Sequence, residues 1–146
     1  MRISRRTLQI GLGLLWLLDA GLQLQPYMFH DGFVRDVIAP TGAGQPGFVQ
    51  HPVHWAAQVL LTHPAVFNTG FAAIQLLIGA GLLWRRSVRV ALAGSVVWGV
   101  SIWFLGEGLG GLTTGETLLT GAPGAALLYA LISLVAFPDR DGDSST

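Results

Sequence analysis

The chain contains no cysteine. Disulfides, thiol redox chemistry, zinc–thiolate sites and cysteine-ligated iron–sulfur clusters are excluded at once. Charge is nearly as scarce: 11% of the 146 residues are charged and the formal net charge is +0. The few basic residues make no patch that could track a phosphate backbone, so nucleic acid is excluded as a partner. Histidine is absent from every long apolar segment, which argues against haem held by paired helix histidines.

What the chain has instead is apolar residues, 51% of the total, with a mean hydropathy of +0.56. Those values fit an all-α integral membrane protein. Four segments, 7–25, 66–84, 88–105 and 123–137, span or nearly span the roughly 30 Å of hydrocarbon at about 1.5 Å per residue. We expect a transmembrane four-helix bundle forming one domain over 1–138, with a polar, disordered tail at 139–146. Pro123 suits the first turn of the last helix, and Pro138 with Asp139 marks its stop. Arg2, Arg5 and Arg6 before an apolar run also resemble a signal peptide. Leu18 stands two places before Ala20 where cleavage needs a small residue, so a retained first helix is expected.

The arginines set the orientation. Arg2, Arg5 and Arg6, then Arg85, Arg86 and Arg89, and finally Arg140 fall on one side, and only Arg35 on the other. The positive-inside rule then puts both termini in the cytoplasm of a bacterial-type plasma membrane. The loop 26–65 faces outward. Within it, Val53–Leu61 alternates at near-helical spacing, which predicts a short interfacial helix with Trp55 at headgroup level, a lid over the bundle. A plain connector is the alternative reading.

Asp19 is the costly residue. A carboxylate at the centre of a membrane helix costs roughly 2.5–3.5 kcal/mol on insertion scales. Leu12, Trp16, Asp19 and Gln23 share one helix face, as do Asn68, Ala72, Gln75 and Gly79 on the second helix, and Ser95, Gly99, Trp103 and Glu107 on the third. Asp19 lies about 18 Å from the inner end of its helix and Gln75 about 14 Å from the outer end of its own, so they share a depth. The three faces are expected to converge on an outward-opening pocket. In it Asp19 and Glu107 are the candidate catalytic groups, acting as proton acceptors or charge partners. Gln23, Gln75 and Asn68 are the candidate hydrogen-bonding ligand residues, and Trp16 and Trp103 the apolar walls. Such a pocket would suit a quinone head group or a small substrate. In the competing structural reading, Asp19 is neutral or hydrogen-bonded to a glutamine on a neighbouring helix and serves only to fix helix register, and Glu107 is solvated in a loop.

Of the four histidines, His51 and His54 are spaced i, i+3 and with His63 form a weak candidate metal set, because Pro52 interrupts the pair. The run Gly106-Glu107-Gly108-Leu109-Gly110-Gly111 matches a dinucleotide pattern formally, but it follows a membrane helix rather than a strand. Its glycines are better read as letting the backbone leave that helix tightly. Gly79, Gly81, Gly94 and Gly99 read as close-packing positions between helices.

The opening Leu8-Gln9-Ile10-Gly11-Leu12-Gly13-Leu14-Leu15-Trp16 and the stretch Gln75-Leu76-Leu77-Ile78-Gly79-Ala80-Gly81-Leu82-Leu83 before Arg85-Arg86 resemble the DoxX/DoxD-like small four-helix membrane proteins. The likeness covers some 60 residues. This chain has Gln75 where the family often has an acidic residue, and a longer first loop. The resemblance implies a redox-associated membrane subunit linked to quinone, as in the DoxD-type subunit of thiosulfate:quinone oxidoreductase. A non-catalytic accessory or assembly subunit is the alternative. The expected partners are the lipid bilayer and either other subunits of a membrane complex or a second copy.

Overall fold

The computed structural model describes residues 3–139, and across them the chain is all-α, without a strand. The expectations placed on Arg2, Arg140 and the rest of the tail lie outside the described residues. Helix α1, Arg5–Gln23, starts where the Ser4 hydroxyl accepts a hydrogen bond from the Thr7 N–H at 3.1 Å, satisfying one of the first-turn donors. A 3₁₀ turn, Pro26–Phe29, leads into the single turn α2, Asp31–Phe33, then a π turn, Val34–Ile38, and another 3₁₀ turn, Ala39–Gly42. Helices α3, Gly47–Thr62, and α4, Pro64–Leu83, follow with only His63 between them. Helix α5 is Val88–Leu105 and α6 is Ala125–Val135.

The loop between the first two long helices is thus mostly helical, and α3 is longer than the 53–61 expected. It runs through Pro52, which costs it a single intrahelical bond, the one to the Phe48 carbonyl. Pro52 therefore does not separate His51 from His54. At the other end of the chain α6 is shorter than 123–137. Gly124, at φ 100°, is its N-cap, so Pro123 lies before the helix rather than in its first turn.

Among the described residues two helices, α4 and α5, are long and apolar enough to cross a membrane. In α1 the length is present, but Arg5, Arg6, Gln9, Asp19 and Gln23 dilute the apolar run. In α6 the apolarity is present, but its 11 residues rise only about 17 Å.

Helix α1 packs on α4, α4 on α5, α5 on α6, and α6 back on α1. Small residues set the separations. A Cβ on Gly79 would sit 2.9 Å from the Gly13 carbonyl oxygen, and one on Gly99 would sit 2.8 Å from that of Ala126. Gly81 is close to Ala91 in the same way, whereas Gly94 has only an ordinary contact with Ile78 and sets no helix separation. Leu12, Trp16, Ile78, Leu82 and Leu92 form the core between them. Burying each such side chain contributes roughly 1.5–3 kcal/mol.

Two polar contacts organise one end. The Arg6 guanidinium donates to the Leu82 carbonyl at 3.0 Å and to the Leu83 carbonyl, which places its charge at the negative end of the α4 dipole. Arg5 pairs with Asp139. The arginines that flank α1, α4 and α5 therefore gather at the end where the described chain begins and finishes.

Candidate functional site

In the half of the molecule away from Arg5, Arg6 and the Arg85–Arg89 turn lies a cavity of about 470 Å³. Helix α1 contributes Asp19, Leu22 and Gln23, and α4 contributes Phe67, Phe71 and Gln75. From α5 come Trp98, Ser101, Ile102 and Leu105, with Glu107 just beyond its end. The α3 residues Trp55, Ala56, Val59 and Leu60 close one side, and Phe33, Val37 and Ile38 complete the wall. Asp19, Gln23, Gln75 and Glu107, expected to meet from three separate helices, do share one space.

Three polar atoms bordering this cavity are buried without a hydrogen-bond partner: Gln75 Oε1, Trp98 Nε1 and Glu107 Oε2. Gln75 is only 6% exposed. Buried polar groups are normally satisfied, and each such orphan costs about 1–3 kcal/mol. Their clustering on one cavity marks the place where an occupant would be held.

Glu107 is not solvated in a loop. Its Oε1 accepts the Ala126 N–H at 3.3 Å, in the first turn of α6. The N-cap residue there, Gly124, has no side chain, so a carboxylate from the preceding helix end supplies the cap. It reaches that position because Gly106 closes α5 and the backbone then turns sharply at Leu109 and Gly110, with φ of 59° and 60°. A Cβ on Gly124 would collide with the Glu107 carboxyl group. Burial pushes the Glu107 carboxyl above its ordinary value, with the Ala126 N–H opposing the shift.

Asp19 finds a phenol rather than a glutamine. The Tyr129 hydroxyl on α6 faces its carboxyl group, while the Tyr129 ring meets Trp16 edge-on with centroids 4.9 Å apart. Tyr129 is absent from the residues expected at the site. The signal available was a single phenol in a helix whose other polar side chain is Ser133, since a buried Tyr hydroxyl needs a polar partner.

Three expected ligand residues are elsewhere. Trp16, 1% exposed, is core, and its Nε1 donates to Ser95 Oγ at 2.8 Å. Ser95 in turn shares a 2.7 Å hydrogen bond with Ser133. Trp103 Nε1 donates to the Pro123 carbonyl at 2.7 Å, on the far side of α5. Asn68 Nδ2 donates to the Gln23 carbonyl at 2.7 Å and serves the end of α1. The physical reason is common to Ser95, Gly99 and Trp103: a face with small residues allows close approach, so it packs against α6. The bulkier face, Trp98, Ile102 and Leu105, is left to line the cavity.

The histidines stay apart from this site. His54 pairs with Gln58 at 3.0 Å on α3, and His63 is the joint between α3 and α4. Among the described residues no group of three or more His, Cys, Asp or Glu side chains is arranged to hold a metal ion. The glycine run 106–111 forms the tight exit from α5, with no strand before it. Gln45 ties this exit to the first loop, donating to the Gly108 carbonyl at 2.9 Å and accepting from Thr113.

Comparison with protein-family models, with curated proteins and with solved structures finds no match.

Proposed function

We propose that the chain is a multi-pass membrane protein of the bacterial-type plasma membrane, with α1, α4, α5 and α6 embedded in lipid. In this reading its outer-half cavity binds an amphipathic small molecule, with the polar head against Asp19, Gln75 and Glu107. The embedding draws support from the outward faces: Leu14 and Leu18 on α1, Leu77 on α4, Val97 on α5 and Leu134 on α6 are all exposed. Exposed large apolar side chains on all four helices are disfavoured in water and suited to hydrocarbon. Because α1 lies along α4 and α6 along α5, the two shorter or more polar helices share the depth of the two apolar ones. The arginine end faces the cytoplasm by the positive-inside rule.

The observation that carries ligand binding is the set of three unpartnered polar atoms on one largely apolar cavity. Its volume falls in the range of small-molecule sites, about 300–1,000 Å³. The DoxX/DoxD-like resemblance supports a quinone as the ligand and a redox-associated subunit as the role, with Asp19 and Glu107 accepting or returning protons as a partner subunit exchanges electrons with the quinone. In nanodiscs, decylubiquinone is expected to bind the wild type and to bind Asp19→Asn and Glu107→Gln at least tenfold more weakly, at unchanged protein levels. Undiminished binding by both variants removes this reading.

A second reading, an accessory or assembly subunit, is favoured by Leu118 and Leu119, 84% and 99% exposed on the loop after α5. Purification in mild detergent with a stoichiometric, cofactor-bearing partner supports it. A lone monomer counts against it.

A further inference from the structure

The cavity has a charge as well as a shape. Two carboxyl groups, Asp19 and Glu107, border it, and no arginine or histidine is among its lining residues. Gln75 adds a carbonyl oxygen that is deeply buried and has no donor. Five aromatic side chains, Phe33, Trp55, Phe67, Phe71 and Trp98, make up much of the wall. The Phe71 and Trp98 rings stand 5.3 Å apart at 56°, so they form a tilted aromatic corner.

We propose that the cavity selects an amphipathic organic cation, a molecule with an ammonium- or phosphonium-type centre on an aromatic or aliphatic body. This rests on the cavity being the ligand site, and it names a cation rather than a neutral quinone as the preferred occupant. The aromatic faces carry negative quadrupole charge and attract a cation within about 6 Å of a ring centroid. Carboxylates in a low-dielectric space interact with an opposite charge far more strongly than in water. An anionic amphiphile, such as a fatty acid, meets two like charges and no basic partner. A neutral ring leaves both carboxyls without an opposite charge.

Protons compete with such a cation for the same oxygens. The titratable groups that line this space are Asp19 from α1 and Glu107 at the end of α5, and Tyr129 from α6 stands beside Asp19 without lining the cavity. Helices α3 and α4 place none among the lining residues. Cation affinity therefore rises with pH as the carboxyls ionise.

The test uses two ions of nearly the same shape and opposite charge, tetraphenylphosphonium and tetraphenylborate, with decylubiquinone as the neutral ligand. Binding to the full chain in nanodiscs is measured by titration calorimetry, with empty nanodiscs subtracted for partitioning. The phosphonium is expected to bind at least tenfold tighter than the borate, with affinity rising from acid to mildly alkaline pH. Asp19→Asn is expected to cut that preference at least tenfold. Equal binding of the two ions, or a preference for the borate, overturns the proposal, and this comparison needs no variant. Binding of decylubiquinone without the phosphonium overturns the proposal and leaves the ligand site standing. If none of the three binds, both this inference and the site beneath it fail.

Discussion

Gln75 and Glu107 show how one residue can weaken the fold and serve the cavity. The unpartnered carbonyl of Gln75 costs stability, so replacing it with an apolar side chain of similar size should relieve that cost. Gln75→Leu is expected to raise unfolding stability by about 1 kcal/mol while lowering ligand affinity at least tenfold, read from thermal unfolding and calorimetry on the same sample. A loss of stability with unchanged affinity would make Gln75 a structural residue. For Glu107 the prediction concerns pH. Its folded-state value lies above the ordinary 4.5, so the stability linked to it is fully present below that value. It is then lost as the pH rises through the raised value. Unfolding temperatures measured from acid to neutral pH should therefore fall in the wild type relative to Glu107→Gln, whose amide oxygen still caps α6. Parallel curves for the two proteins would show that the carboxyl group is not held in the buried position.

At the scale of the elements, the glycine contacts decide how near the helices come. Gly13→Val drives a side chain into the α4 backbone at Gly79 and is expected to cost about 1–3 kcal/mol. Gly11, two residues away, has nothing within 4 Å of a built Cβ. Gly11→Ala is expected to stabilise α1 by about 0.5–1 kcal/mol. Denaturant titration in detergent micelles separates the two, and equal effects would show that the α1–α4 approach is not as close as found. The same logic explains which part of the site was legible in sequence. Asp19, Gln23 and Gln75 could be placed by counting along helices, because depth follows directly from a fixed rise per residue. Trp16 and Trp103 could not, because periodicity defines a face without naming the helix it meets. Gly99 directed its face, Trp103 included, onto α6, and Tyr129 became visible only when α6 was set beside α1.

At the scale of the whole molecule, the arrangement makes a claim about sides. Ser4 lies at the arginine end and Thr114 at the opposite end, in a chain with no native cysteine to interfere. In intact cells a membrane-impermeant maleimide is expected to label Thr114→Cys and to reach Ser4→Cys only after permeabilisation. Labelling of both from the same side would overturn the proposed topology. Charge pairing at the arginine end carries a smaller expectation. The Arg5 guanidinium holds the Asp139 carboxyl below its usual range, so the contribution is present above that range and lost as pH falls through the lowered value. The pair is exposed, and Asp139→Asn is expected to shift thermal unfolding only slightly.

The sequence by itself determined the all-α class, the apolarity of the segments that form α4 and α5, the grouping of arginines and the presence of costly polar residues in apolar segments. These follow from composition and from the fixed geometry of a helix, which act locally. Only the tertiary structure decided that α6 is short, that α3 runs on from Gly47 and closes one side of the cavity, and that Glu107 caps a helix other than the one it follows. Those outcomes depend on which faces meet, and that is settled by side-chain size and close approach between segments distant in the chain.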